Sequence, residues 1–428
     1  MIKKIKNEKA PNTPEPEIQV TKRQKIISWA VFIPMLVVVS ISLITVIFPA
    51  LIVRSTSTLQ DIFKPDIINP FETGVLAYPL IIINLILLGT GFLYYKKRHQ
   101  GLRKLVNSIH SFDLTKKRAL IIITIILAIY IGASAGQLAT QETWEDFKPV
   151  KDRVDGWTIS EFGKNFDVHV RYLLLSTSEH LFGNIRVIPF IASIALLILT
   201  YYITLEISRN RFAGIISMLV LIQSNVFLSY DTTATYDNFW ILFYLFSLYL
   251  IYKKWPPSPV SYIMSVFSKP LTIAFLPMSL YFIARSDITK KTKRISLVAY
   301  GVVIILLIAA VLASHTNLTG AGEGIDVNDF WKGFAALAMQ MRFDWIVIIF
   351  LLPLTVMLFL ASRKGIVHAD SIMILILGIL LSAPFLTGFT AQTNQPYRFV
   401  SLVVFFAIGV GVLLSKRIKV QAELSSKL

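Results

Sequence analysis

Repeated apolar runs constrain the fold of this chain more than any other feature of its sequence. The 428 residues are 55% hydrophobic and only 16% charged. A helix of about 20 apolar residues crosses about 30 Å of hydrocarbon. Inside a bilayer, the backbone must satisfy its own hydrogen bonds, which helices do. The sequence therefore predicts an all-α, polytopic membrane protein.

Hydropathy predicts about twelve membrane segments, with bounds good to a few residues. They cover residues 26–53, 75–94, 119–135, 186–207, 212–228, 238–252, 261–268, 270–284, 295–313, 345–360, 366–382 and 400–414. The first segment is too long and lies too far along the chain for a cleaved signal peptide. We interpret it as a retained anchor helix.

Pro270 separates two short apolar segments, of which residues 261–268 are too few for a full crossing. One continuous helix over 261–284 would place Arg285 and the basic residues after it outside the cell. A turn at Pro270 returns them to the cytoplasm, as the positive-inside rule favours. We therefore predict a hairpin here, and a multi-pass cell-membrane protein with both termini in the cytoplasm.

The net charge of +17 follows from this orientation. Most of the 42 Lys and Arg lie in the predicted cytoplasmic segments, whereas most of the 25 Asp and Glu lie outside. Basic clusters such as 96–98 and 116–118 adjoin the membrane and lack interleaved aromatic residues, so we predict no nucleic-acid partner. Anionic lipid head groups are their simpler partner. Because the chain has no cysteine, disulfides and thiolate chemistry are excluded.

The chain divides into a membrane core with additions. We predict a disordered cytoplasmic tail at 1–25, two additional membrane helices and a basic linker at 26–118, a core at 119–414 and a cytoplasmic tail at 415–428. The core carries extracytoplasmic loops at 136–186, 315–344 and 384–398.

Three carboxylates follow the first core segment closely: Glu142, Glu145 and Asp146. A carboxylate at the membrane boundary, partly desolvated, can accept a proton from an acceptor hydroxyl. The three are candidate catalytic bases, and spacing does not separate them. The simpler interpretation is a solvated acidic loop.

Further candidates follow the loop. Apolar and polar residues alternate at helical spacing over 169–183, which predicts a helix along the membrane surface that holds Asp167 and His169 near the bilayer. A histidine near a helix start is more often a packing or capping residue. Arg186 marks re-entry into the membrane. Asp237 lies in a short turn between segments, where it can also cap the next helix.

Lys269 lies between two short membrane segments, where its charge needs a partner such as a phosphate oxygen, or must snorkel to solvent. Tyr397 and Arg398 stand where the last segment begins. Together, Lys269, Arg398 and Arg186 would form a cationic clamp for an anionic lipid head group.

The order of these motifs resembles the GT-C glycosyltransferases, particularly the protein O-mannosyltransferase-like and aminoarabinose-transferase-like branch. Phe166-Asp167-Val168-His169 and Leu181-Phe182-Gly183-Asn184-Ile185-Arg186 are similar to one stretch of that family. Ser229 to Asp237 is similar to its next outer turn. Ser265-Val266-Phe267-Ser268-Lys269-Pro270 and Gln395-Pro396-Tyr397-Arg398-Phe399 are similar to its hairpin and to the entry into its closing helix. The resemblance covers roughly residue 119 to the C-terminus, but Arg171-Tyr172 stands where the family has a proline pair.

The resemblance implies an inverting transfer of a sugar from a polyprenyl- or dolichyl-phosphate donor to an extracytoplasmic protein, lipid or glycan. Glu142, Glu145 or Asp146 would be the base. The substrate-binding residues would be Asp167, His169, Arg186, Asp237, Lys269, Tyr397 and Arg398. No residue is predicted as a metal ligand, although a divalent metal requirement stays open. The alternatives are a transporter or flippase of an anionic lipid-linked substrate, and a non-catalytic membrane subunit.

Overall fold

A computed structural model of the chain describes residues 21–53, 69, 71–96, 100–142, 144, 146–163, 166–235, 237–253, 256–313, 325–342, 344–366, 368–390 and 395–415. These residues form helices joined by turns, with no strand among them. The predicted all-α class is confirmed. Most of both predicted tails, and the candidate base Glu145, lie outside the described residues.

The described α-helices are, in chain order, α1 Lys22–Ile47, α2 Pro49–Val53, α3 Ala77–Tyr95, α4 Gln100–Ser111, α5 Lys116–Ser134, α6 Phe147–Asp155, α7 His169–Phe182, α8 Val187–Ser208, α9 Arg211–Ile222, α10 Asn225–Tyr230, α11 Asp237–Lys253, α12 Ser258–Ser268, α13 Leu276–Arg285, α14 Lys290–Ala313, α15 Val327–Gln340, α16 Trp345–Arg363, α17 Ala369–Thr390 and α18 Val400–Leu413. Short 3₁₀ turns occupy Ala135–Ala139, Ile159–Gly163, Pro270–Phe275 and Pro396–Phe399.

Eight helical stretches in this part of the chain are long and apolar enough to cross a membrane, which fits a helical membrane protein. They are Lys22–Ile47, Ala77–Tyr94, Lys116–Ala139, Val187–Ser208, Lys290–Ala310, Trp345–Arg363, Ala369–Phe389 and Pro396–Leu413. The other predicted segments correspond to shorter helices, α9 to α13. Eight of the twelve predicted segments thus correspond to full-length stretches, and the count of about twelve stays a prediction.

The chain reverses direction at Lys269. Before the turn, α12 runs antiparallel to α11, because the Ser258 hydroxyl donates to the Ser247 carbonyl and the Ser265 hydroxyl to the Trp240 carbonyl. After the turn, α13 runs back along α11 to Arg285. Its Nε lies 2.9 Å from Oδ2 of Asp370, at the start of α17. This is the hairpin that the break at Pro270 predicted.

The first helices pack within the same core as the rest. The Ser28 hydroxyl of α1 lies 2.7 Å from the Ser362 hydroxyl of α16, and the Asn84 amide of α3 donates to the Ile349 carbonyl at 2.9 Å. Met35 and Val39 of α1 are fully buried in the main apolar cluster. The helices α1 and α3, predicted as an addition within 26–118, therefore share one core with the C-terminal helices.

Helices also occupy parts of the predicted loops. α15 lies within 315–344, and α17 continues to Thr390, beyond the predicted end at 382 and into the loop 384–398. Gly333 permits this close packing, because a Cβ there would lie 2.2 Å from the Pro384 Cα. The amphipathic pattern of α15 falls below what a hydropathy window detects, so the sequence predicted a loop.

The helices alternate between two ends of the bundle. Lys22, Lys116, Arg211 and Lys290 begin helices at one end, which we call the basic end. At the opposite end, which we call the loop end, lie the turn 231–237 and the hairpin tip at Lys269. Every predicted site residue that the structure describes lies toward the loop end.

Candidate active site

An ion pair joins the hairpin tip to the start of α11. Lys269 Nζ lies 3.1 Å from Asp237 Oδ1, and the two side chains are 9% and 0% exposed. The Trp240 indole donates to the same carboxylate oxygen at 2.7 Å, and Lys269 Nζ lies 5.2 Å from the Trp240 ring centroid. A carboxylate at a helix N-terminus is further stabilised by the helix dipole. Asp237 and Trp240 thereby fix the ammonium group in place.

Lys269 and Arg398 line the same pocket between the hairpin and the start of α18. Its polar wall includes the hydroxyls of Thr272, Ser382 and Ser401. The rest of the lining is contributed by Trp240, Leu271, Phe275 and Leu386. The three hydroxyls already donate to backbone carbonyls, those of Lys269, Ile379 and Arg398. The two cations therefore supply the charge that would suit an anionic group, next to an apolar wall.

Arg186 has other partners and does not line this pocket. Its guanidinium lies 3.0 Å from Glu142 Oε2 and donates to the Thr140 carbonyl at 2.7 Å and to the Thr232 hydroxyl at 3.1 Å. The Arg186 and Glu142 side chains are 7% and 5% exposed. Arg186 thus fastens the first outer loop to the turn that contains Thr232. Of the three cations predicted to form a clamp, Lys269 and Arg398 line one pocket and Arg186 does not.

The candidate bases occupy different environments. Glu142 is held in the buried pair with Arg186. Asp146 is exposed at the position before α6. Glu145 lies outside the described residues. Of the two described candidates, Glu142 is therefore the one joined, through Arg186, to the turn that leads into Asp237.

Asp167 and His169 lie at the start of α7, which forms where the surface helix was predicted and ends at Gly183 with φ 63°. Asp167 pairs with Arg153 at 3.1 Å and accepts from the Val168 amide at 2.7 Å. His169 is 1% exposed, and its Nδ1 lies 3.3 Å from the Trp157 indole nitrogen. Because that nitrogen only donates, Nδ1 is the acceptor and the ring proton of a neutral His169 is on Nε2.

Aromatic rings connect His169 to the hairpin tip. Its ring centroid lies 5.1 Å from that of Phe162, and the Phe162 ring stacks on Phe267 at 5.7 Å. Phe166 also contacts Phe267, at 5.5 Å. Since Phe267 precedes Lys269 by two residues, these rings tie the first outer loop to the residue that presents the ammonium group.

Tyr397 is a buried packing residue beside Arg398. It is 3% exposed, and its ring lies 5.8 Å from Trp144 and 5.7 Å from Tyr230. Both residues belong to the 3₁₀ turn that leads into α18. Tyr397 therefore anchors the turn, whereas Arg398 faces the pocket.

Three further residues at the loop end were not predicted as site residues: Trp240, Asp231 and Asp344. Trp240 is one helical turn after Asp237, a spacing that would have suggested contact. Asp231 is fully buried, and burial raises its pKa to about 6. Burial also raises the pKa of Asp344, which accepts from the Ser224 hydroxyl and caps α10. No sequence signal distinguishes Asp344 from an ordinary loop carboxylate.

Comparisons with protein-family models, with curated proteins and with solved structures found no match to this chain. The resemblance to the GT-C glycosyltransferases stays a prediction from sequence motifs. The role of the pocket is therefore argued from its own residues.

Proposed function

We propose that the protein is an integral-membrane glycosyltransferase that moves a sugar from a polyprenyl- or dolichyl-phosphate donor to an extracytoplasmic acceptor. The observation that carries the proposal is the placement of Lys269 and Arg398 in one pocket with an apolar wall. Phosphate accepts charge-assisted hydrogen bonds from both cation types, and an isoprenoid chain matches the apolar lining.

In the proposed reaction, an acceptor hydroxyl attacks the anomeric carbon of the donor sugar. The bond from that carbon to the phosphate oxygen breaks, the lipid phosphate leaves with the electron pair, and the hydroxyl proton passes to a carboxylate. Lys269 and Arg398 stabilise the charge that develops on the departing phosphate. The base comes from Glu142, Glu145 or Asp146, all in the first outer loop.

Asp237 and Trp240 position Lys269, so their part is to preorganise the cation. Arg186 holds Glu142 and the turn 231–237 in fixed relation. His169 acts through the aromatic contacts that reach Phe267. These residues are positioning residues in the proposal, and the phosphate contacts are left to Lys269 and Arg398.

We place the loop end on the extracytoplasmic side and both termini in the cytoplasm. The positive-inside rule supports this orientation, since helices at the basic end begin or end with Lys22, Lys116, Arg211, Arg285 and Lys290. The sugar of the lipid-linked donor would then be transferred on the extracytoplasmic face of the membrane.

The test is transfer of a labelled sugar from a polyprenyl-phosphate donor by the purified, detergent-solubilised protein. Lys269→Met keeps most of the length of the side chain and removes its charge, and Arg398→Gln removes the second charge while leaving a shorter, polar side chain. We expect each variant to lower kcat by about 10²- to 10³-fold.

Lys332→Met is the matched control, because Lys332 also pairs with an aspartate, Asp329, but does not line the pocket. It should keep wild-type activity. Full activity in both pocket variants would overturn the proposal. Donor binding that depends on the two cations, without any transfer by the wild-type protein, would indicate a lipid carrier instead of an enzyme.

A further inference from the structure

Helix α4 at the basic end exposes a row of apolar side chains. Leu105 is 58% exposed and Ile109 38%, and Phe112, just after the helix, is 49% exposed. At intervals of four and three residues, they follow one side of the helix. In an aqueous environment this row would be an unfavourable surface, since burying an apolar side chain lowers the free energy relative to leaving it in water.

The contacts of α4 fix which side faces the protein. His110 Nε2 lies 3.0 Å from the Leu413 carbonyl oxygen at the end of α18. The Asn210 amide donates to the Phe112 carbonyl at 3.1 Å, and the Phe112 ring meets the Phe212 ring edge to face at 4.9 Å. The end of α4 is therefore fastened to the N-cap of α9, to α9 itself and to the end of α18, while Leu105 and Ile109 stay 58% and 38% exposed.

Exposed cations precede, interrupt and follow this row in the sequence: Lys96, Lys104, Lys116, Lys117 and Arg118. The only acidic residue in the sequence from 96 to 118 is Asp113. Its carboxylate accepts from the Arg211 amide at 2.9 Å and lies 3.7 Å from the Arg211 guanidinium. The surface that α4 presents is thus apolar along one strip and positively charged beside it.

The apolar strip is continuous with the side of the bundle that suits lipid. α5 begins at Lys116, four residues after Phe112. Its Leu120, Ile121 and Ile125 are 63%, 50% and 52% exposed. α5 belongs to a stretch long enough to cross a membrane. Its first exposed apolar side chains therefore mark the level at which the hydrocarbon begins, and α4 adjoins that level.

We propose that α4 lies in the plane of the membrane interface and binds anionic phospholipid head groups at the basic end. Basic amphipathic helices bury their apolar side at the boundary between head groups and acyl chains, and their cations attract anionic lipids. This surface is separate from the proposed transferase pocket and does not depend on it. Each exposed lysine is expected to strengthen the local association of an anionic lipid about fivefold at low salt.

The test uses the absence of cysteine from the chain. A fluorophore is attached at Leu105→Cys in the full-length protein, which is placed in vesicles of phosphatidylcholine and phosphatidylglycerol. In each of two samples, one of these lipids is brominated and quenches the fluorophore on contact. At equal mole fractions, we expect brominated phosphatidylglycerol to quench several-fold more strongly than brominated phosphatidylcholine. The triple variant Lys104→Gln, Lys116→Gln, Lys117→Gln should remove the difference, because these exposed lysines supply the attraction.

Ile129→Cys provides the internal control. Ile129 is 67% exposed and lies in the second half of α5, away from the basic end. The two lipids should quench that label equally. Equal quenching at Leu105→Cys would overturn the anionic preference, and no quenching by either lipid would overturn the interfacial position. A preference that persists unchanged in the triple variant would also contradict the proposal.

Discussion

A lysine side chain that is only 9% exposed needs a partner for its charge, and Lys269 has Asp237 and the Trp240 ring. The desolvation cost of burying the pair offsets much of its attraction. The ion pair therefore serves mainly to position the Lys269 ammonium group and adds little to the stability of the fold. The same logic separates Arg186, whose charge is paired with Glu142, from Arg398, which lines the pocket.

Replacing Asp237 by Asn should destabilise the protein by about 3–5 kcal/mol, because Lys269 keeps a buried charge without its counter-ion. The measurement is the unfolding temperature in detergent. Adding Lys269→Met to Asp237→Asn should recover part of the loss, since neither charge is then buried alone. Additive losses in the double variant would contradict coupling between the two side chains.

Asp231 should make stability depend on pH. Its pKa is raised to about 6 by burial, above the unfolded value of about 3.9, so the folded state holds its proton more firmly. Stability should fall as pH rises from about 4 to 6 and then level off, a loss of about 3 kcal/mol. Asp231→Asn, which resembles the protonated carboxyl, should lack this slope. An identical pH profile of unfolding temperature in both proteins would refute the assignment.

At the scale of elements, the loop end is assembled from short pieces held by close packing. α12, the 3₁₀ turn Pro270–Phe275 and α13 build the hairpin, and α15 packs on α17 where Gly333 meets Pro384. α17 in turn contributes Ser382 to the pocket. The shape of the pocket therefore depends on elements that a hydropathy profile shows only weakly.

Gly333→Ala should disturb this packing, since the new Cβ would lie 2.2 Å from the Pro384 Cα. We expect a destabilisation of about 1–3 kcal/mol, as overpacking usually produces. Gly301→Ala in α14 is the control, because a Cβ there meets nothing within 4 Å. If both variants unfolded at the wild-type temperature in a thermal scan, the close approach of α15 and α17 would be wrong.

Much of the architecture was predictable from the sequence because it follows from composition and charge. The hairpin at Pro270 was predictable, since only a turn returns Arg285 to the side of the other cations. Lys269 and Arg398 were predicted together, and they share a pocket. The partners of Arg186 and the contact between Trp240 and Lys269 were not predicted, because they depend on side-chain packing between distant segments that no local pattern encodes.

At the scale of the whole molecule, orientation can be tested with single cysteines, because the chain has none. Asp146→Cys is exposed at the loop end and Lys104→Cys at the basic end. On intact cells, a membrane-impermeant maleimide should label Asp146→Cys alone, and permeabilisation should add Lys104→Cys. The reverse pattern would place the pocket in the cytoplasm and contradict the proposed orientation.

The central claim is that Lys269 and Arg398 together hold the phosphate of a lipid-linked donor. Its most direct measurement is an experimental structure of the protein with a bound polyprenyl phosphate. We expect phosphate oxygens at about 2.7–2.9 Å from both Lys269 Nζ and the Arg398 guanidinium, with the isoprenoid chain along Leu271 and Leu386. A phosphate bound elsewhere, with both cations turned away from it, would contradict the account.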